Sequence, residues 1–280
     1  MAGFLNTISP RAIWPAQTRM TTQPNGTSQT MRALLRLREL LLSGEFEPGE
    51  RMSELPLVDR LGVSRTPLRL ALSALEHEGF LRILPGGGYV VREFTRADID
   101  DAIELRGVLE GTAARFAAER GVGRRELKAM IEITEQTDEF VHRADFESFE
   151  SYVDLNERFH SLLYEAARSP LLMRALEHAL SLPFAGPSAF VLAEAELPES
   201  RQVLVVAQSH HRGLVDAIER REGARAESIG REHARLARFN LDIVLRHRDV
   251  LDRMPGASLI SLPKGGESEA EGPVPSEAST

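Results

Sequence analysis

Two sets of residues in this sequence have the types and spacing to do chemistry. Asn156 and His160 are four apart, which places them on one face of a helix among Tyr152, Val153, Phe159 and Leu163. Two further histidines, His211 and His233, lie about equally far on either side of the turn Arg221-Glu222-Gly223. At the rise of a helix each is roughly 15 Å along its arm, so an antiparallel hairpin brings them level. Three imidazoles and one amide converging inside a bundle suit a divalent transition metal with neutral ring nitrogens as ligands. Packed, hydrogen-bonded histidines on an apolar face produce the same pattern, and spacing leaves both readings open. His210 points about a quarter-turn away from His211 and is not a first-choice ligand.

The second set is basic. Arg65 and Arg69, also four apart, share a face at the N-terminal end of a predicted helix. Arginine there suits bidentate pairing with guanine O6 and N7 in a DNA major groove, while Ser64 and Thr66 hydroxyls and free helix N–H groups can hold phosphate. The elements needed to position them are legible. Ser53 is placed to cap a helix carrying Leu55, Val58 and Leu61, which Gly62 ends. Ser64 is placed to cap the next helix, with Pro67 in its first turn and Leu68, Ala71, Leu72 and Leu75 as its buried stripe. Phe80 to Leu84, the turn Pro85-Gly86-Gly87-Gly88 and Tyr89 to Val91 predict a β-hairpin wing, with Gly86 and Gly87 at a tip able to approach a minor groove. Met31, Leu34, Leu35, Leu37, Leu41 and Leu42 predict a first helix over Thr30 to Leu42.

This order resembles the DNA-binding unit of the GntR family of bacterial transcription regulators, most closely over Arg32 to Val91 and with its signature at Leu61 to Glu76. Leu70 stands where family members often carry a glutamate. About Thr95 to His247 resembles the all-helical effector domain of the FadR-type branch in its metal-containing form. The matching segments are Glu104-Leu105-Arg106 with Leu109-Glu110, Asn156-Glu157-Arg158-Phe159-His160, His211 through Ile218, and His233. The resemblance implies that Asn156, His160, His211 and His233 hold a divalent metal: zinc first, nickel or manganese otherwise. Asn156 replaces the Asp of many relatives and removes one charge. The resemblance also implies a small organic-acid effector, for which Arg106 is a further candidate through a bidentate clamp. An intrahelical pair between Arg106 and Glu110 is the competing reading.

The 280 residues allow two packed domains. The expected organisation is mainly α: an arm over 1–28, a winged helix-turn-helix over 29–94, an antiparallel helical bundle over 95–252 and a disordered acidic tail over 253–280. Within the bundle, breaks are expected at Arg120-Gly121-Val122-Gly123 and His142-Arg143-Ala144-Asp145. Ser169-Pro170 predicts a helix start, and Pro183 to Pro198 is the least regular stretch. The net charge of −8 speaks against indiscriminate DNA coating. Its distribution is uneven, because no Asp or Glu precedes Glu39 whereas Arg11, Arg19, Arg32, Arg36 and Arg38 fall in that stretch. Absent cysteine excludes disulfides and thiolate chemistry, and no apolar run is long enough to span a membrane, so a cytoplasmic protein is expected. The expected function is a ligand-responsive regulator, a repressor, binding a pseudo-palindromic double-stranded operator as a homodimer. A metalloenzyme built on the histidines and an architectural DNA-binding dimer without effector are the alternatives. The sequence has no His-Glu-x-x-His element, phosphate loop or nucleophile elbow to support an enzyme.

Overall fold

Apolar residues at helical spacing on three short helices build the first core. The computed structural model describes residues 26–141, 146–191 and 197–261. Helix α1 (Gly26–Leu42) buries Ala33, Leu37, Leu40 and Leu41, and packs on α3 (Arg65–His77). The stripe of α3 is the expected one, with Pro67, Leu68, Ala71, Leu72 and Leu75 buried. Helix α2 (Glu54–Leu61) departs from expectation: Leu57 is its buried residue, while Leu55 is 63% exposed. Two residues span about 200° of a helix, so Leu55 and Leu57 cannot both face inward. Gly62 ends α2 in a left-handed conformation (φ 61°) and donates its N–H to Val58 O at 3.0 Å. Ser53 and Ser64 occupy the N-cap positions with extended backbone, but neither side chain makes the capping hydrogen bond.

The hairpin forms from β2 (Leu81–Ile83) and β3 (Tyr89–Val91), paired Leu81 with Val91 and Ile83 with Tyr89. A two-residue strand, β1 (Arg51–Met52), adds to the far edge of β3, giving the antiparallel order β1-β3-β2. At the tip Gly87 and Gly88 take φ near 85° (83° and 86°), which lets Gly87 N–H reach Leu84 O and Leu84 N–H reach Gly88 O.

Thr95 and Asp98 then make a reciprocal capping box that starts α4 (Arg96–Arg120), and Gly121 ends it. The bundle continues with α5 (Arg124–Val141), α6 (Phe146–Ala166), α7 (Pro170–Ser181, capped by Ser169), α8 (Pro198–Glu219) and α9 (Gly223–Arg246). Helix α4 is the central element, packed most extensively on α9 and also against α6, α7 and α8. The α4–α9 approach is close because glycines meet there. A Cβ on Gly111 would lie 2.7 Å from the Glu227 carbonyl oxygen, and one on Gly230 would lie 3.0 Å from Gly111 Cα. Gly111→Val is therefore expected to destabilise the fold by about 1–3 kcal/mol through overpacking against backbone. Thermal unfolding checks this; an unchanged melting temperature would mean that the helices can separate without loss.

The expected arm falls at 1–25 outside the described residues, and Gly26 to Ser28 form the first turn of α1. The break expected at 142–145 also lies outside them. The C-terminal expectation needs correction. A short helix α10 (Arg248–Leu251) and the stretch to residue 261 pack on the protein rather than trailing from it, with Met254, Leu259 and Ile260 buried. Gly256 N–H donates to Leu42 O at 2.7 Å, Phe94 N–H to Leu259 O at 2.8 Å and Ser261 N–H to Phe94 O at 2.8 Å. Burial of three apolar side chains and these backbone bonds outweigh the flexibility suggested by Pro255 and Gly256. Residues 262–280 lie outside the described part. One apolar cluster consequently runs across the expected boundary at 94–95, joining Leu42, Phe94, Ile99, Phe184, Leu251 and Leu259.

Candidate functional site

Four helices supply the polar interior of the bundle. Helix α6 carries Asn156, His160 and Tyr164 at successive turns, α8 carries His211, α9 carries His233 and α4 carries Arg106 and Glu110; all seven are buried. One ring nitrogen from each of His160, His211 and His233 lies within 4.8 Å of the others. The Nε2 atoms of His160 and His233 are 3.1 Å apart. Two nitrogens bound tetrahedrally to one zinc ion at ordinary lengths are roughly 3.4 Å apart, so the cluster is near the size such an ion requires.

Partners at Nδ1 set the tautomer of two of the three rings. His211 Nδ1 is 3.2 Å from Gln208 Oε1, and Gln208 itself is held by donating Nε2 to Thr134 O at 2.6 Å and to Asp138 Oδ1 at 2.7 Å. A proton on His211 Nδ1 leaves Nε2 as a lone pair, and that atom has no hydrogen-bond partner among the described residues. His160 Nδ1 faces Tyr164 Oη at 3.3 Å and Glu110 Oε1 at 3.5 Å, and Tyr164 donates to Glu110 Oε1 at 2.5 Å. Its Nε2 then also carries a lone pair turned toward His233. Burial, reinforced by Arg106, pushes the His160 pKa down to about 3. Burial first, and the neighbouring imidazoles second, holds His211 and His233 well below the usual histidine range. His233 Nδ1 has no hydrogen-bond partner among the described residues, so a neutral His233 can donate Nε2–H to His160 Nε2, and a cation bound between the rings would replace that proton.

Asn156 donates Nδ2 to Ser188 Oγ at 3.1 Å and leaves Oδ1 buried without a partner among the described residues. Asn156, Arg106, His233 and Asn240 line one small cavity of about 20 Å³, closed by Pro187 and Val191 from the irregular segment after α7. This is room for roughly one water. Arg106 donates Nη2 to Ala234 O at 2.9 Å, while Nε stands 3.9 Å from Glu110 Oε1. Nε and Nη1 have no hydrogen-bond partner among the described residues. The intrahelical ion pair is thus present but long, and two guanidinium donors remain. Desolvation raises the Glu110 pKa, against the pull of Arg106 and Tyr164. His210 is half-buried and outside the nitrogen cluster.

Sequence reading passed over Tyr164 and Gln208, and used Glu110 only as a partner for Arg106. Helical spacing was the available signal: Tyr164 follows His160 by four residues and Gln208 precedes His211 by three. Gln208→Ala is expected to lower metal affinity about 10–100-fold by freeing the His211 ring to rotate and change tautomer. Competition against a chelator of known affinity measures it, and an unchanged constant would remove Gln208 from that role.

On the other part of the fold, Ser64, Arg65, Thr66 and Arg69 are all exposed on or beside α3, as are Gly86 and Gly87 on the wing. Arg69 Nε lies 2.9 Å from both carboxylate oxygens of Glu54. Arg51, which ends the family-like segment Glu47 to Arg51 and is not among the DNA contacts expected from the sequence, donates Nη2 to Gly87 O at 3.1 Å and so places a cation beside the wing tip.

Comparison with known proteins finds two family models in tandem: bacterial regulatory proteins of the gntR family over residues 29–91, and the FCD domain over residues 101–236. The chain is 30% identical over 146 residues to YdhC, an HTH-type transcriptional regulator of Bacillus subtilis, covering 52% of this chain and 64% of that protein. It is 33% identical over 137 residues to the Nta operon transcriptional regulator of Aminobacter aminovorans, covering 49% of this chain and 63% of that one. These two matches span just under two thirds of each relative. The probable D-xylose utilization operon transcriptional repressor of Paenarthrobacter nicotinovorans is 28% identical over 198 residues, 69% of this chain and 80% of that protein. Among solved structures, Escherichia coli McbR/YncC matches with a TM-score of 0.52 and 21% identity, covering 82% of this chain and all (100%) of that one, a likeness of fold.

Proposed function

The chain belongs to the GntR family of bacterial regulatory proteins, with an FCD domain after its DNA-binding region, and from that premise we propose a metal-dependent, acid-sensing repressor. It reads a pseudo-palindromic double-stranded operator as a homodimer through Ser64, Arg65, Thr66, Arg69 and the wing residues Gly86 and Gly87. Family members bind DNA and typically act as dimers. The matched relatives are transcription regulators, and the enzyme alternative falls away with them.

The observation that carries the sensing half is the convergence of three neutral histidine nitrogens within 4.8 Å. His160, His211, His233 and the unpartnered Asn156 Oδ1 would hold a divalent metal, zinc in first place on the strength of the nitrogen-rich donor set, with nickel or manganese as the other candidates. When bound, the metal supplies a cationic coordination position for a carboxylate. Four neutral ligands leave its full charge, which favours an anionic effector. Arg106 offers Nε and Nη1 to a second oxygen group of the acid.

The cavity is too small for any organic acid unless its wall moves. That wall, with Pro187 and Val191, belongs to the same segment as Ser188, which accepts from Asn156, and as Phe184, whose ring meets Phe94 edge-on at 5.7 Å between the wing and α4. Phe184 also holds a left-handed backbone (φ 63°), a strained conformation for a bulky residue. An acid that shifts this segment prefers one arrangement of the DNA-binding part over another, which is the condition for a change in operator affinity. Phe184→Ala is expected to keep metal and acid binding while reducing the acid's effect on operator affinity. Calorimetry with the acid and band-shift titration on the same protein test it; an undiminished effect would exclude this route.

A further inference from the structure

We infer that Leu70 is a base-reading residue that selects a thymine by packing against its C5-methyl group. This rests on the DNA-binding reading above and deepens it. Leu70 follows Thr66 by four residues and precedes Ser73 by three, so the three share one stripe of α3, opposite the buried stripe of Leu68, Ala71, Leu72 and Leu75. Arg65 and Arg69 both lie to one side of that stripe. The Leu70 side chain stands 56% exposed among these polar neighbours. A scattered surface leucine needs no explanation in general. This one shares its face with Thr66 and lies about 100° round the helix from Arg69, on the exposed side and within the first two turns, where side chains reach base edges.

The chemistry of the groove then decides the partner. Along the major-groove edge every base presents hydrogen-bonding groups, and thymine alone adds a methyl. A leucine with no donor or acceptor leaves an adenine or cytosine amino group without water and without a substitute, which costs affinity. Against thymine it buries a methyl and displaces water from apolar surface on both sides. Leu70 consequently selects thymine at a single position of each half-site, one turn of helix beyond Thr66.

The test uses the full-length chain. Operator sequences are first selected from a randomised duplex pool by the wild type. Each thymine of the selected duplex is then replaced in turn by deoxyuridine, which removes only the methyl. Affinities are measured for the wild type and Leu70→Ala, whose equal melting temperature checks that the exposed site leaves the fold intact. The wild type is expected to lose about fourfold in affinity for each methyl removed at one symmetry-related position, the size of one buried methylene-sized group. Leu70→Ala is expected to bind the dT and dU duplexes equally. At that position 5-methylcytosine should also be bound better than cytosine by the wild type alone. Indifference of the wild type to every dT-to-dU change, or the same dT/dU ratio in Leu70→Ala, would overturn the inference. Failure to select any sequence would overturn the DNA-binding reading itself, and this inference with it.

Discussion

A protein in which His160, His211 and His233 are all replaced by alanine is expected to purify with less than about a tenth of the divalent metal found in the wild type. Its affinity for added zinc should fall by well over a hundredfold. The size of the effect follows from what the residues are. Outer residues that merely orient ligands change affinity about 10–100-fold, and three direct donors exceed that. The structure supports the expectation at the level of atoms: the His160 and His211 rings are held at Nδ1 by Tyr164, Glu110 and Gln208, which turns their Nε2 lone pairs inward. Removing three rings also leaves a cavity and deletes buried polar groups, so stability has to be followed alongside. Holding the three histidines neutral inside the fold depresses their pKa values below that of the unfolded chain. The unfolded state therefore binds protons that the native state does not, and metal-free wild type loses stability as pH falls below about 6.5, the ordinary histidine pKa. The alanine protein should lack that loss. Equal metal content in the two proteins would return the histidines to a packing role.

The second large effect is expected at the DNA surface. Arg65→Ala should weaken operator binding by about 1–3 kcal/mol for each bidentate base contact removed, felt twice in a dimer, with metal content unchanged. Arg69→Ala has the same direction and a smaller net size. Arg69 already pairs with Glu54, so docking on a guanine exchanges one carboxylate partner for base acceptors. The exposed ion pair itself contributes little to stability. Quantitative footprinting at several salt concentrations checks both variants. An Arg65→Ala protein that still distinguishes operator from random duplex would place the reading function elsewhere on α3.

How much of this was legible follows the physics of each element. The stripe Leu68, Ala71, Leu72 and Leu75 and the hairpin around Gly86 to Gly88 were readable because local periodicity and turn chemistry determine them. Leu55 was misassigned because α2 is only eight residues long, too short for periodicity to fix which apolar side faces inward. The β1 pair has two residues and exists only through its partner β3, a contact that local sequence does not encode. The stretch to residue 261 was hidden by its Pro and Gly, since its order depends on docking to Leu42 and Phe94 far away in sequence. In the site, spacing brought His211 and His233 level and set Asn156 beside His160. The resemblance to the metal-containing effector domain, rather than spacing, raised metal above packing. Gln208 and Tyr164 escaped because a residue that orients a ligand has no distinctive type, only a distance.

The measurement that tests the account most directly is operator affinity of the metal-loaded protein across a panel of small mono- and dicarboxylic acids, repeated with the triple-histidine variant. The account predicts that at least one acid shifts the wild-type affinity by about fivefold or more, the lower end of ordinary allosteric coupling. The same acid should leave the variant's operator binding unchanged. An acid response that persists without the three histidines, or its absence across the panel in the metal-loaded wild type, would contradict it.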